Sequence, residues 1–171
     1  RQFSGSAQRP QPGTVTTTGI VHMPLPASPA DYVTNILIPT NRPQARNIRV
    51  LSRTPLPELG RQLQAAMEPA LRNAQQNDAQ LRQLGGMFDT SMSIWAERVR
   101  IAYQESGRDF EEDVWVLGSI QHHRQQMQGM PLVHEVRWIM IDPRGVRAPA
   151  GELEQARPVI EAISLSLREN P

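Results

Sequence analysis

Residues 93–105 read SIWAERVRIAYQE, residues 110–122 read FEEDVWVLGSIQH and residues 132–142 read LVHEVRWIMID. In the first stretch Trp95, Val99, Ile101 and Tyr103 alternate with Arg98, Arg100 and Gln104. A period of two is the signature of a strand with one face in a core. The second returns through Val114, Val116 and Ile120, and the third sets Val136, Trp138 and Met140 against Glu135 and Arg137. Ser106-Gly107-Arg108-Asp109 carries turn chemistry between the first two, and the polar run His123 to Gly129 joins the last two. Three long strands with short connections predict an antiparallel meander. Trp95, Val99, Val136 and Trp138 then point the same way, Trp115 points the other way, and the closing helix is expected to roof the first four.

Outward from this core, Thr14 to Met23 is rich in β-branched residues and predicts an early strand. Ser28 before Pro29 is the N-cap and N1 pair that starts a helix, expected to run to about Ile38 with Pro39 and Pro43 ending it. Asn47 to Arg53 predicts a second strand. A helical region from Pro57 to Leu84 carries Leu59, Leu63, Met67 and Leu71 at three- and four-residue steps, with an interruption near Pro69 and a stop at Gly85-Gly86. Asp142-Pro143-Arg144-Gly145 predicts a turn, followed by a short extended segment over Val146 to Pro149. Gly151 to Arg168 predicts an amphipathic helix on Leu153, Ala156, Val159, Ile160, Ile163 and Leu167. The fold class is therefore α+β: an antiparallel sheet flanked by helices. A polar leader over residues 1–13 precedes a single domain over residues 14–171, and the leader suggests a tether and an exported protein.

Composition narrows the chemistry. All 18 basic residues are Arg, set against 17 acidic ones, for a net charge of +1. Near-neutral charge offers no long-range field for a polyanion, so no nucleic-acid partner is expected. Codon usage in a GC-rich genome accounts for the absence of Lys. With no Cys there are no disulfides or thiolate metal sites. The longest apolar runs, such as Trp138 to Ile141, are too short to span a bilayer. No Gly-rich phosphate loop or nucleophile elbow occurs, and nothing points to a cofactor.

The order of elements, with Arg147-Ala148-Pro149-Ala150-Gly151 leading into a helix that ends Ser164-Leu165-Ser166-Leu167-Arg168, resembles the Mog1/PsbP-like fold over roughly Ser93 to Pro171. That family has a Ser-Phe pair near the end of its helix, where this chain has Ser166-Leu167. The resemblance implies an envelope or lumenal compartment and a binding or assembly role.

Three groups of residues are candidates for a site. His122 and His134 fall near each other if their strands pair, and with Glu135 or Glu112 they make an N/O set for zinc. Trp115 with Arg98 and Arg100 marks a groove on the second sheet face for a partner or apolar ligand. Asp109, Glu111, Glu112 and Asp113 pair carboxylates at a hairpin, and their plainer reading is a solvated acidic edge. The expected function is a non-catalytic binding or accessory domain of the bacterial cell envelope, periplasmic or extracytoplasmic. It would act on a protein partner or envelope component and be tethered to the membrane, as a lipoprotein is, rather than spanning it. The alternatives are a small metal-dependent hydrolase using the His122/His134 region and a structural subunit of a larger assembly.

Overall fold

Ser106 (φ 52°) and Gly107 (φ 76°) both occupy the left-handed region and form the tight turn of the longest hairpin in the chain. Two consecutive positive φ values define a type I′ turn, whose twist matches that of the strands it joins. In the computed structural model, which describes residues 3–6 and 21–159, the hairpin consists of β4 (Met87–Glu105) and β5 (Arg108–Gln126). β6 (Val133–Pro149) returns alongside β5 and completes the meander. With β1 (Phe3–Ser6), β2 (Val21–His22) and β3 (Arg46–Pro55), the sheet order is β2-β1-β6-β5-β4-β3. β1 runs parallel to β2 and antiparallel to β6, and β3 is antiparallel to β4. The architecture is α+β, with the antiparallel meander flanked by helices.

The strands outrun their sequence signal, because the start of β4 buries the polar Thr90 while exposing Met87, and the end of β5 is polar and exposed. β6 runs without a break through residues 142–145, where the sequence predicts a turn. Pro143 lacks a donor, and among the described residues β1 pairs β6 at Glu135 and Val136, away from Pro143. The leader contains β1 itself, so residues 3–6 are paired strand rather than tether. Most of the early strand predicted over Thr14 to Met23 lies outside the described residues; Val21 and His22 are in β2.

The chain packs as two units, each taking one stretch of the long strands: residues 1–26, 56–96 and 117–142 in unit 1, and 27–55, 97–116 and 143–171 in unit 2. In unit 1 the long helix α3 (Pro57–Arg82) lies along β4. Gly60 comes so near that a Cβ there would sit 3.4 Å from that of Ala96, and the Gln75 amide donates to the Thr90 carbonyl at 3.2 Å. Contrary to expectation α3 runs unbroken through Pro69, which is exposed together with Ala65, so the carbonyl freed by the missing donor faces water. Trp138, Met140 and Ile120 form the buried centre of this unit.

In unit 2 the helical segment 29–41 starts as the sequence predicts, with Ser28 Oγ accepting from the Asp31 amide at 3.1 Å. It does not stop at Pro39. α1 (Pro29–Tyr32) opens into a π turn over Val33–Leu37 and closes as α2 (Ile38–Asn41). The wider turn sends the Ile38 amide to the Val33 carbonyl and lets Pro39 sit in the first turn of α2, where no donor is required. Val33 and Ile38 are buried in the same unit as Val99, Ile101, Tyr103, Val114 and Val116.

Residues 153–159 are helical and anchored by buried Leu153, while the remainder of the predicted final helix lies outside the described residues. Arg157 pairs with Asp113 at 2.5 Å and Glu154 with Arg100 at 2.5 Å. Arg100 alternates with Val99 and Ile101 along β4, so these two turns meet the sheet on the face opposite Val99. They do not roof the Val99 face as predicted; ionic contacts rather than the apolar stripe choose the side.

Candidate functional site

At one end of unit 1 two short connections lie side by side. Thr90 Oγ1 is 3.1 Å from His123 Nδ1, and a Cβ on Gly86 would be 3.2 Å from the Gln126 carbonyl. The start of β4 and the end of β5 therefore meet here. Around the α3–β4 connection stand Leu81 in the last turn of α3, Leu84 in the connection and Met87 at the start of β4, and the β5–β6 connection carries Met127, Met130 and Leu132. These are six of the thirteen large hydrophobic side chains exposed among the described residues, with Leu84 at 75% and Met130 at 63%. Nearly half of them thus gather around two adjoining connections, an exposed apolar grouping of the kind that association surfaces are made of.

Both loops are built to present these residues. α3 ends in tightened turns, with the amides of Leu84 and Gly85 donating to the carbonyls of Leu81 and Arg82, and Gly85 (φ 88°) reverses the chain. The Arg82 guanidinium then donates to the Phe88 carbonyl at 2.6 Å and ties the helix end to β4. In the other loop the Met130 amide donates to the Met127 carbonyl at 2.9 Å across a turn in which Gly129 takes φ 78°. The two methionines stand at its corners. Unbranched and polarizable, they adapt to irregular partner surfaces. The sequence held one signal of this tip: Met127, Met130 and Leu132 are isolated in a polar, Gln-rich connection.

His122 and His134 do come together, as the sequence predicts. His122 Nδ1 lies 3.2 Å from His134 Nε2, and the rings stack with centroids 5.4 Å apart. Burial, then the neighbouring His134, Arg124 and His123, hold the His122 imidazole below its ordinary pKa and favour the neutral ring. The carboxylates expected beside them are placed elsewhere: Glu135 pairs with Arg137 at 2.7 Å, and Glu112 is buried in unit 2. Among the described residues no group of three or more His, Cys, Asp or Glu side chains is arranged to hold a metal ion.

Trp115, Arg98 and Arg100 share a face in unit 2, since counting back from the turn sets Arg98 opposite Trp115 and Arg100 opposite Asp113. Trp115 is half-buried, and Arg98 reaches Thr54 Oγ1 at 3.5 Å. Arg100 is fully engaged: Nε and Nη2 donate to the Asp113 carboxylate at 2.8 and 3.1 Å, and Nη2 also reaches Glu154. Its hydrogen bonds to Asp113 and Glu154 push its pKa further upward. The acidic run divides in the same way. Asp113 and Glu112 are buried and paired, whereas Asp109 and Glu111 make no ion pair among the described residues.

No family model, curated protein or solved structure matches the chain. The described helices include none long and apolar enough to cross a membrane. Chemically, the tip offers adaptable apolar contact, and the histidine pair offers two nitrogens without a third ligand.

Proposed function

We propose that this chain is a non-catalytic binding or accessory domain of the bacterial cell envelope, and that it grips a protein partner through the apolar tip of unit 1. The observation that carries this reading is the grouping of Leu81, Leu84, Met87, Met127, Met130 and Leu132 around two adjoining connections. Burying six such side chains, each already partly covered, at about 1.5 kcal/mol apiece gives roughly 9 kcal/mol. Association itself costs about 4–15 kcal/mol. The tip therefore suits a reversible complex that polar contacts around it complete. Envelope placement rests on the resemblance in element order to the Mog1/PsbP-like fold.

The test is affinity capture from an envelope extract with the wild-type chain, Leu84→Glu, Met130→Glu and a control, Val50→Glu, on exposed β3. A protein retained by wild type and control but lost with both tip variants supports the reading. Equal retention by all four, or retention by none, overturns it. The His122/His134 contact favours a second reading, a metal-dependent hydrolase. Zinc that co-purifies stoichiometrically and is lost in His122→Ala would replace the first reading with that one.

A further inference from the structure

On unit 2, the sheet face that carries Arg100 and Asp113 is only half covered. Residues 153–159 close over the Arg100/Asp113 row through Glu154 and Arg157. The two rows nearer the type I′ turn stay open as a hollow of about 390 Å³, lined by Asn47, Arg49, Ala102, Gln104, Asp109 and Glu111 among others. That volume lies near the lower end of the ~300–1,000 Å³ typical of small-molecule sites.

The sequence builds this hollow in three steps. First, β3 pairs Arg46 with Gln104 and Arg49 with Ala102, with a register shift between the two pairs. The extra residue of that bulge includes Asn47 at φ 55°, whose amide donates to Gln104 Oε1 at 2.8 Å. Second, the small Ala102 is the floor between Arg49 on β3 and Glu111 on β5. Adjacent strands are about 4.8 Å apart, so these two stand roughly 10 Å apart at the backbone. Third, Asp109 lies across from Gln104 in the next row and is held by its carbonyl, which accepts from the Ala150 amide at 3.1 Å.

Charge is what sets this hollow apart. Elsewhere in unit 2 Arg42, Arg53, Arg100, Arg147 and Arg157 have carboxylate partners, while Arg46 donates to the Pro43 and Ala45 carbonyls and Arg98 to Thr54 Oγ1. Arg49, Asp109 and Glu111 make no hydrogen bond or ion pair with their side chains among the described residues, yet all three border one cavity. One guanidinium faces two carboxylates across a neutral floor. A ligand with an ammonium at one end and a carboxylate at the other satisfies both sides. A diamine would place its second cation against Arg49, and a dianion its second charge against Asp109 and Glu111.

We propose that this hollow binds a small zwitterion of the free α-amino-acid class, its carboxylate on Arg49 and its ammonium on Glu111 and Asp109. This site is separate from the tip, and either can fail without the other. The test titrates the isotope-labelled full chain with L-glutamine and follows the backbone amide resonances of Asn47, Gln104 and Glu111. Saturable shifts with a dissociation constant of about 1 mM are expected, as for a small open site. Arg49→Gln and Glu111→Gln disturb no internal pair, so both fold, and each should weaken binding about tenfold through loss of a charge-assisted hydrogen bond. Putrescine and succinate should bind at least about tenfold more weakly than L-glutamine, each meeting one like charge. Absence of saturable shifts, unchanged affinity in both variants, or equal binding of putrescine or succinate overturns the proposal.

Discussion

Replacing Glu112 with Gln tests how unit 2 is held together. The Glu112 residue is 4% exposed; its carboxylate accepts from Arg42 Nε at 3.0 Å and Nη2 at 2.9 Å, and from the Tyr103 hydroxyl at 2.8 Å. Arg42 caps the C-terminus of α2, so this contact pins the helical segment 29–41 to the sheet. Gly145 makes room for it, since a Cβ there would lie 2.5 Å from Glu112 Oε1. Breaking a buried pair by removing one charge costs about 3–5 kcal/mol. The Arg42 side chain keeps 27% exposure and regains water, and the Gln carbonyl still accepts from Tyr103. The expected loss is therefore smaller, about 2–3 kcal/mol, and for a chain of this size it lowers Tm by roughly 5–10 °C. Urea and thermal melts of Glu112→Gln, Arg42→Ala and the double variant read both the loss and the coupling, expected to exceed about 1 kcal/mol. A Glu112→Gln melt within about 0.5 kcal/mol of wild type, or strict additivity in the cycle, refutes the reasoning.

The two tyrosines should resist ionisation in the folded chain: burial raises both pKa values, and for Tyr103 the Glu112 hydrogen bond adds to it. A phenol with its folded pKa raised contributes stability that is whole below about pH 10 and lost as pH rises through the folded value. Ultraviolet titration should thus show little tyrosinate until the chain unfolds in alkali, and Glu112→Gln should bring Tyr103 down; ordinary titration of both in the folded chain contradicts this. In unit 1, a Cβ on Gly118 would meet Met140 Sδ at 2.6 Å and the Ile139 carbonyl at 2.8 Å. Gly118→Ala should cost about 1–3 kcal/mol by urea unfolding, because a backbone atom cannot step aside as a side chain can. A neutral outcome would show that β5 and β6 are not as close there as described.

The sequence made the meander legible because Val99, Ile101, Val114 and Trp138 have one buried face each, and alternation reports burial. Over residues 87–92 the inward face includes the polar Thr90 and the outward face the apolar Met87, and residues 124–126 are exposed throughout, so there the same strands leave no such mark. Proline misled twice for one reason. Its missing donor is costly only where the partner carbonyl is cut off from water or a strand is waiting; Pro69 is exposed on α3, and the β1–β6 pairing among the described residues does not reach Pro143. The side on which residues 153–159 dock was hidden because it is set by Arg100 and Asp113 meeting Glu154 and Arg157, pairs far apart in sequence. Of the candidate sites, the His122/His134 contact followed from strand pairing alone. The apolar tip did not, because Leu84 and Met130 come together only after the hairpin has closed.

The absence of Lys, which codon usage explains as composition, also has a use in the fold. Arg42 on Glu112, Arg53 on Glu97 and Arg100 on Asp113 each grip both carboxylate oxygens through Nε and Nη2. All three carboxylates belong to buried residues, so an oxygen left without a donor would carry its full desolvation cost. An ammonium is a point charge without the planar fork, so Lys at any of these positions would lose the paired geometry that satisfies both oxygens. The buried acids of β4 and β5 thus depend on guanidinium chemistry from β3, β4 and the end of α2. Glu111 and Asp109 lack such a grip, although Arg49 stands one strand beyond Ala102. Charge of both signs without a protein partner among the described residues, set around a single hollow in a unit that pairs its buried acids so thoroughly, is the feature an incoming zwitterion would complete.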